Sequence, residues 1–186
     1  MLFRSPSSIA LAGGELELVP LEMRERRLSR AVRDIAEPYD VVLIDCPPSL
    51  GLLTVNALTA ADTVLVPVQC EYYALEGLTQ LIGTVHLVRD HLNPALELEG
   101  ALLTMADSRT NLSTDVAAEV RRVLGPAVYE TVIPRSVRLS EAPSHGLPIA
   151  LYSRDSKGAE AYRKFAAEFI GRVRSRGGAT PMARAS

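Results

Sequence analysis

The residues best suited to chemistry stand where apolar runs end. Val41, Val42, Leu43 and Ile44 lead without alternation into Asp45, and Pro47 and Pro48 follow. An unalternating apolar run suits a strand covered on both faces, as in a parallel sheet between helices. Proline has no N–H and stops the ladder. The pattern predicts a carboxylate at the carboxyl end of a buried strand, where open α/β sheets bind their ligands. In a nucleotide-binding fold such an acid holds Mg²⁺, usually through water. On an isolated strand the same Asp caps a turn. Cys46 and Cys70 each close an apolar run. Two cysteines so placed suit free thiols rather than a disulfide framework, and are too few for a closed zinc site. His86, His91 and His145 form no catalytic or metal-ligating spacing. Arg109 and Arg138, taken alone, read as solvated loop charges. Thr104 and Met105 read as the end of a core strand, and Tyr72 and Tyr73 as core aromatics or dimer contacts, with packing favoured.

The bulk numbers bound what such residues can do. The chain has 186 residues, enough for one domain with a proper core. Its 47% hydrophobic and 23% charged residues are ordinary globular usage. A formal net charge of −2 gives no global attraction to nucleic acid, so any DNA contact must come from a local basic patch. No apolar run reaches membrane-spanning length, and the first residues, Met1 to Pro6, lack a signal-peptide h-region. A cytoplasmic location is expected.

The elements that must position these residues alternate. Residues 1–14 read as an irregular start with Gly13-Gly14 as a breaker. Leu16, Leu18 and Val19 read as a short strand closed by Pro20. Leu28, Ala31, Val32 and Ile35 predict a helix over Glu22–Glu37, ended by Pro38. The strand to Asp45 follows, then a helix over Ser49–Ala61. Thr63–Gln69 reads as a second buried strand, with Pro67 marking a bulge or its end. A long helix is expected over Glu71–Leu92, a strand over Leu98–Met105, a helix over Ser113–Leu124 and a strand over Ala127–Ile133. A loop over Pro143–Pro148 precedes a final amphipathic helix from Ser156 to about Arg174. The fold class is therefore α/β: a three-layer, mostly parallel sheet with helices on both faces. Residues 1–175 are expected as a single domain and 176–186 as a disordered tail.

Four segments give the chain a family likeness: Tyr39–Leu58, Pro67–Leu78, Leu102–Leu112 and Val132–Gly146. Through them the chain resembles the ParA (Soj-like) DNA-partition ATPases, relatives of MinD in the P-loop NTPase class, from about Leu11 to Phe169. The segments favour the chromosomal partition branch over MinD. The resemblance implies that Asp45 is the Walker B aspartate, holding Mg²⁺ through water, and that Pro47, Pro48 and Gly51 belong to the segment that senses nucleotide state. It implies that Thr104, Met105, Pro134 and Arg135 enclose the base of ATP, and that Arg109 and Arg138 hold DNA backbone on an ATP-bound homodimer. Arginine forks suit phosphate oxygens, and such contacts carry no sequence information. The implied partners are non-specific DNA and a ParB-type protein, and the implied place is the nucleoid.

One departure matters. A P-loop needs G-x-x-x-x-G-K followed by Ser or Thr, whose backbone N–H groups cradle phosphates while the lysine reaches the β and γ oxygens. The only lysines here are Lys157 and Lys164, both in the last helix. The sequence therefore reads as the C-terminal two thirds of such an ATPase, with no complete catalytic set. ATP and Mg²⁺ belong to the family but are not expected to be bound productively, or ATP hydrolysed, by this chain alone. The missing strand lies beside the Asp45 strand in this class, so an unpaired edge and reduced stability are also expected. Two other functions compete: a non-catalytic DNA- or partner-binding module, and a MinD-like protein that docks on membranes through Phe165, Phe169, Ile170 and Val173 with Arg172, Arg174 and Arg176. The last conflicts with the expectation that the final helix packs on the sheet, and no stable membrane association is expected.

Overall fold

A computed structural model describes residues 10–47 and 49–177. The strands are β1 (Thr63–Gln69), β2 (Glu97–Ala106) and β3 (Val128–Pro134). The helices are α1 (Ala10–Leu18), α2 (Arg27–Ala36), α3 (Leu52–Ala60), α4 (Ala74–His91), α5 (Asn111–Leu124), α6 (Val137–Glu141), α7 (Ile149–Tyr152) and α8 (Lys157–Gly177). The strands make one parallel sheet in the order β1-β2-β3 with helices around it. Ala101 pairs with Val128, Leu103 with Val132 and Ala106 with Pro134, with irregular steps between them. β1 runs straight through Pro67 to Gln69 because it is the outer strand, where a missing N–H is tolerated.

The chain divides into two compact units, Met1–Val64 with Glu76–Glu99, and Leu65–Leu75 with Gly100–Ser186. In the first, Leu58, Val85, Val88 and Leu96 form a core joined by Val55, Leu81 and Leu92. α2 packs on α3, and the buried Asn56 pins the pair. Its Oδ1 accepts from the Leu28 amide at 3.1 Å, and its Nδ2 donates to the carbonyls of Arg24 (2.8 Å) and Leu52 (2.9 Å). Asn93 likewise donates to the carbonyls of Leu58 and Ala61, closing the end of α3.

In the second unit Leu102, Tyr129, Ile133 and Ala161 form the core, with Leu65, Leu139, Phe165 and Phe169 packed on it. α8 lies along β3 and satisfies that strand's outer edge. The Glu168 carboxylate accepts from the amides of Glu130 (2.9 Å) and Thr131 (3.0 Å). One turn on, the Arg172 guanidinium donates to the carbonyls of Ala127 (3.4 Å) and Val128 (3.1 Å) and stacks 3.8 Å over the Tyr129 ring. The apolar stripe that could have met a lipid surface is used in this way: Phe165 and Phe169 face the core, while Ile170 is exposed. No helix among the described residues is long and apolar enough to cross a membrane.

Three expectations are corrected. Leu16–Val19 is not a strand. Leu16 and Leu18 belong to α1, where alanine, leucine and glutamate favour helix and no ladder partner competes; the helix also runs through Gly13-Gly14, so residues 10–14 are neither irregular nor broken there. Val41–Asp45 forms no strand either, and Leu43 is 77% exposed. An apolar run without alternation becomes a strand only when neighbours supply both ladder and cover, and among the described residues no strand pairs with it. Tyr72 and Tyr73 are not packed inside. Both are largely exposed, with their rings edge to face at 5.3 Å. The expectations for residues 1–9 and for 178–186 lie outside the described residues.

Candidate functional site

Parallel strands deliver their carboxyl ends to one side of a sheet, and those ends and the segments that leave them carry the candidate residues. The β1 exit is joined to β2 by a hydrogen bond from the Cys70 amide to the Thr104 carbonyl (3.0 Å), and the Thr104 hydroxyl donates to the Val68 carbonyl (3.3 Å). Met105 follows in the left-handed region, φ 53°, an uncommon conformation for a residue with a side chain. The β2 and β3 exits are joined by the Arg135 amide, which donates to the Ala106 carbonyl at 2.9 Å. The Arg135 guanidinium is ion-paired with the Glu71 carboxylate. Thr104, Met105, Pro134 and Arg135 are thus brought together at one end of the sheet.

The two candidate DNA-facing arginines stand just beyond, Arg109 in the turn after β2 and Arg138 on α6. Arg109 is held by Asp107: Oδ1 accepts from the Arg109 amide (3.1 Å) and Nε (2.9 Å), and Oδ2 accepts from Nη2 (2.7 Å). Asp107 is itself fixed, since its amide donates to Ser113 Oγ at 3.0 Å and its carbonyl accepts from Thr110 Oγ1 at 3.1 Å. Hydrogen bonds from the Arg109 side chain and amide hold the Asp107 carboxyl well below the usual carboxylate range. Arg138 Nη1 donates to Glu141 Oε2 at 3.0 Å, and the Tyr152 hydroxyl donates to that same oxygen at 3.0 Å. His145 stacks on Tyr152 with ring centres 4.8 Å apart. The hydrogen bond to Glu141 raises the Arg138 pKa further, so the guanidinium stays charged.

The acid-bearing segment differs. Asp45 and Pro47 are exposed on a stretch without regular structure, so Asp45 is not held at a strand end. Pro48 lies outside the described residues. Gly51 stands at the start of α3, where the Glu15 carboxylate accepts from the Leu52 amide; a side chain at 51 would collide with Glu15. Cys46 is exposed and Cys70 buried; burial pushes both thiols up, reinforced at Cys46 by Asp45 and opposed at Cys70 by Ser113 and Arg121. Among the described residues no group of three or more His, Cys, Asp or Glu side chains could hold a metal ion. One exposed carboxylate without a phosphate-cradling loop does not fit a Mg²⁺–triphosphate complex.

Sequence reasoning missed the three carboxylates that partner the candidate arginines. Asp107 and Glu141 had a signal, the D-x-R spacing and the i, i+3 spacing of Arg138 and Glu141 on α6. Glu71, 64 residues from Arg135, had none.

Comparison with known proteins completes the description. The AAA domain family model AAA_31 matches residues 3–98. The chain is 61% identical over 163 residues to the sporulation initiation inhibitor protein Soj of Bacillus subtilis, covering 88% of this chain and 64% of that protein. It is 55% identical over 167 residues to the chromosome partitioning protein ParA of Myxococcus xanthus, covering 90% and 59%. It is 50% identical over 171 residues to the chromosome-partitioning ATPase Soj of Treponema pallidum, covering 92% and 68%. The chain thus spans about three fifths to two thirds of the length of these relatives. Among solved structures it is similar to a cobyrinic acid a,c-diamide synthase from Mycobacterium smegmatis with bound ADP and magnesium, at TM-score 0.76 and 42% identity, covering 92% of this chain and 62% of that one. It is also similar to the cell division ATPase MinD of Pyrococcus furiosus, at TM-score 0.63 and 26% identity, covering 79% and 58%.

Proposed function

The chain belongs to the ParA/Soj family of chromosome-partitioning ATPases, and we propose that it serves DNA segregation through the nucleotide-base and DNA-backbone ends of that machinery without hydrolysing ATP by itself. The observation that carries this reading is the convergence of Thr104, Met105, Pro134 and Arg135 at the carboxyl ends of β2 and β3, with Arg109 on the loop after β2 and Arg138 on α6 just after β3. A base needs shape and a few hydrogen bonds, which these loops offer. Phosphoryl transfer needs a cradle and a lysine at the β and γ oxygens, and both lysines of this sequence lie in α8.

In this reading residues 1–175 act as one ATPase-type domain in the cytoplasm, at the nucleoid. The cargo is chromosomal or plasmid DNA held without regard to sequence. The partners are a ParB-type protein and a second family protomer. ATP and Mg²⁺ would supply the switching chemistry only where the phosphate cradle is present; Asp45, exposed and off any strand, does not hold the metal by itself.

A steady-state ATPase assay on the pure chain, with duplex DNA added, tests the proposal. Phosphate release should not exceed the buffer rate, while filter binding to random-sequence duplex should weaken steeply as salt rises. Turnover at rates normal for an intact ATPase would overturn the non-hydrolytic part. Binding that ignores salt would overturn the backbone-contact part.

A further inference from the structure

Both arginines assigned to DNA carry a resident counter-ion. Asp107 engages Arg109 through two side-chain hydrogen bonds, and Glu141 engages Arg138 through one. In each pair the acid is less exposed than the base: side-chain exposures are 18% for Asp107 against 84% for Arg109, and 38% for Glu141 against 60% for Arg138. The acids are also anchored independently. The backbone around Asp107 is tied to Ser113 and Thr110, and Glu141 is held by the Tyr152 hydroxyl. A fixed acid and a solvated, jointed base describe a cation at rest on a docking point.

We propose that Asp107 and Glu141 are electrostatic brakes on DNA binding: each neutralises its arginine in the free chain and competes with the phosphate for it. The inference rests on the DNA reading given above and adds its regulation. A guanidinium has five N–H donors. Arg109 gives two side-chain donors to Asp107, and Arg138 gives one to Glu141, so each can receive a phosphate oxygen before leaving its acid. The phosphate then shares a cation whose charge is already matched, and the gain in counterion release is smaller than for a bare arginine. A chain of net charge −2 keeps DNA contact weak at rest by this arrangement. It strengthens whenever the guanidiniums swing off their acids.

The test uses the full chain and a short random-sequence duplex, without nucleotide, across a salt series. Asp107→Asn and Glu141→Gln retain size and an acceptor oxygen but remove the charge. Glu130→Gln, at the opposite end of β3 from Arg135, makes the same change in net charge elsewhere. Exposed ion pairs are weak, so each brake variant should tighten binding by about two- to fivefold, and the double variant should steepen the salt slope by roughly one unit. Glu130→Gln should change little, and thermal melts should show that all four variants fold. Arg109→Ala and Arg138→Ala separate the two levels of the argument. If they weaken binding while the brake variants do not tighten it, the brake is wrong and the DNA reading stands. If they leave binding unchanged, the DNA reading itself is wrong. If Glu130→Gln tightens binding as much as the brake variants, net charge is the cause and the brake is wrong. Should the wild-type chain be silent, gain of binding in the double variant supports the brake, and continued silence overturns it.

Discussion

Glu71 and Arg135 are ion-paired across the exits of β1 and β3, although 64 residues separate them in the chain. β2 lies between those two strands, so the pair spans the carboxyl end of the sheet over the residues proposed to enclose a base. Both side chains are about half exposed, and exposed pairs add little to global stability, about 1 kcal/mol or less. Glu71→Gln should therefore leave the melting temperature nearly unchanged. It should raise amide hydrogen exchange in 135–141, because the loop loses its tie to the β1 exit. Exchange rates equal to wild type would show that the Arg135 amide bond to Ala106 positions the loop alone.

Asn56 makes a different prediction. It is buried and serves three backbone groups, from Arg24, Leu28 and Leu52. Asn56→Ala leaves the Leu28 amide and the Arg24 carbonyl without that partner. The expected loss is about 1–3 kcal/mol, since an unsatisfied buried polar group costs its full desolvation. Urea unfolding measures it, and α2 should be the first segment to exchange.

Gly100 has no room for a side chain. A Cβ there would lie 2.5 Å from the Ala127 carbonyl oxygen and 2.8 Å from the Tyr129 ring. The obstacles are backbone and a buried ring rather than the end of a flexible chain. Gly100→Ala should destabilise the chain by about 1–3 kcal/mol, the usual cost of overpacking, read as a lower urea midpoint. Gly125→Ala, with φ 53° but no atom within 4 Å of its Cβ, isolates the backbone part of such an effect.

Glu168 sets an acid limit. Burial opposes its ionisation, yet the amides of Glu130 and Thr131 and the charge of Arg172 outweigh it and hold the carboxyl below its ordinary value of 4.5. A carboxyl lowered by folding contributes stability above its unfolded value and loses it as pH falls through the folded one. Unfolding free energy should thus be flat near neutrality and begin to fall below about pH 4.5. In Glu168→Gln the plateau should be lower and that acid limb shallower. An unchanged limb would assign acid sensitivity to other carboxyls.

The sequence made the sheet's interior legible and its margins much less so. Thr63–Gln69, the helix over 111–124 and the strand ending at Pro134 follow from periodicity and breakers, because their own residues supply the signal. Val41–Asp45 carries an equally strong apolar signal and still forms no strand, since a ladder depends on a neighbour as well as on the segment. Leu16 and Leu18 misled for the opposite reason: two alternating leucines are too short a pattern against good helix formers. At the site, Thr104, Met105, Pro134 and Arg135 were nominated by family likeness alone, and their meeting at one sheet end follows from parallel topology. The pairings that tune the arginines were less so: two were written in local spacing, whereas the partnership of Glu71 and Arg135 exists only once three strands are aligned.

The way α8 engages β3 has a consequence for assembly. An incoming strand on that flank would find the amides of Glu130 and Thr131 already bonded to Glu168, and the carbonyls of Ala127 and Val128 already bonded to Arg172. Over 127–131 the flank is closed to recruitment by main-chain zippering. A second macromolecule arriving there is met by the solvent-facing back of a helix, so its recognition must be written in side chains, where one substitution can tune it.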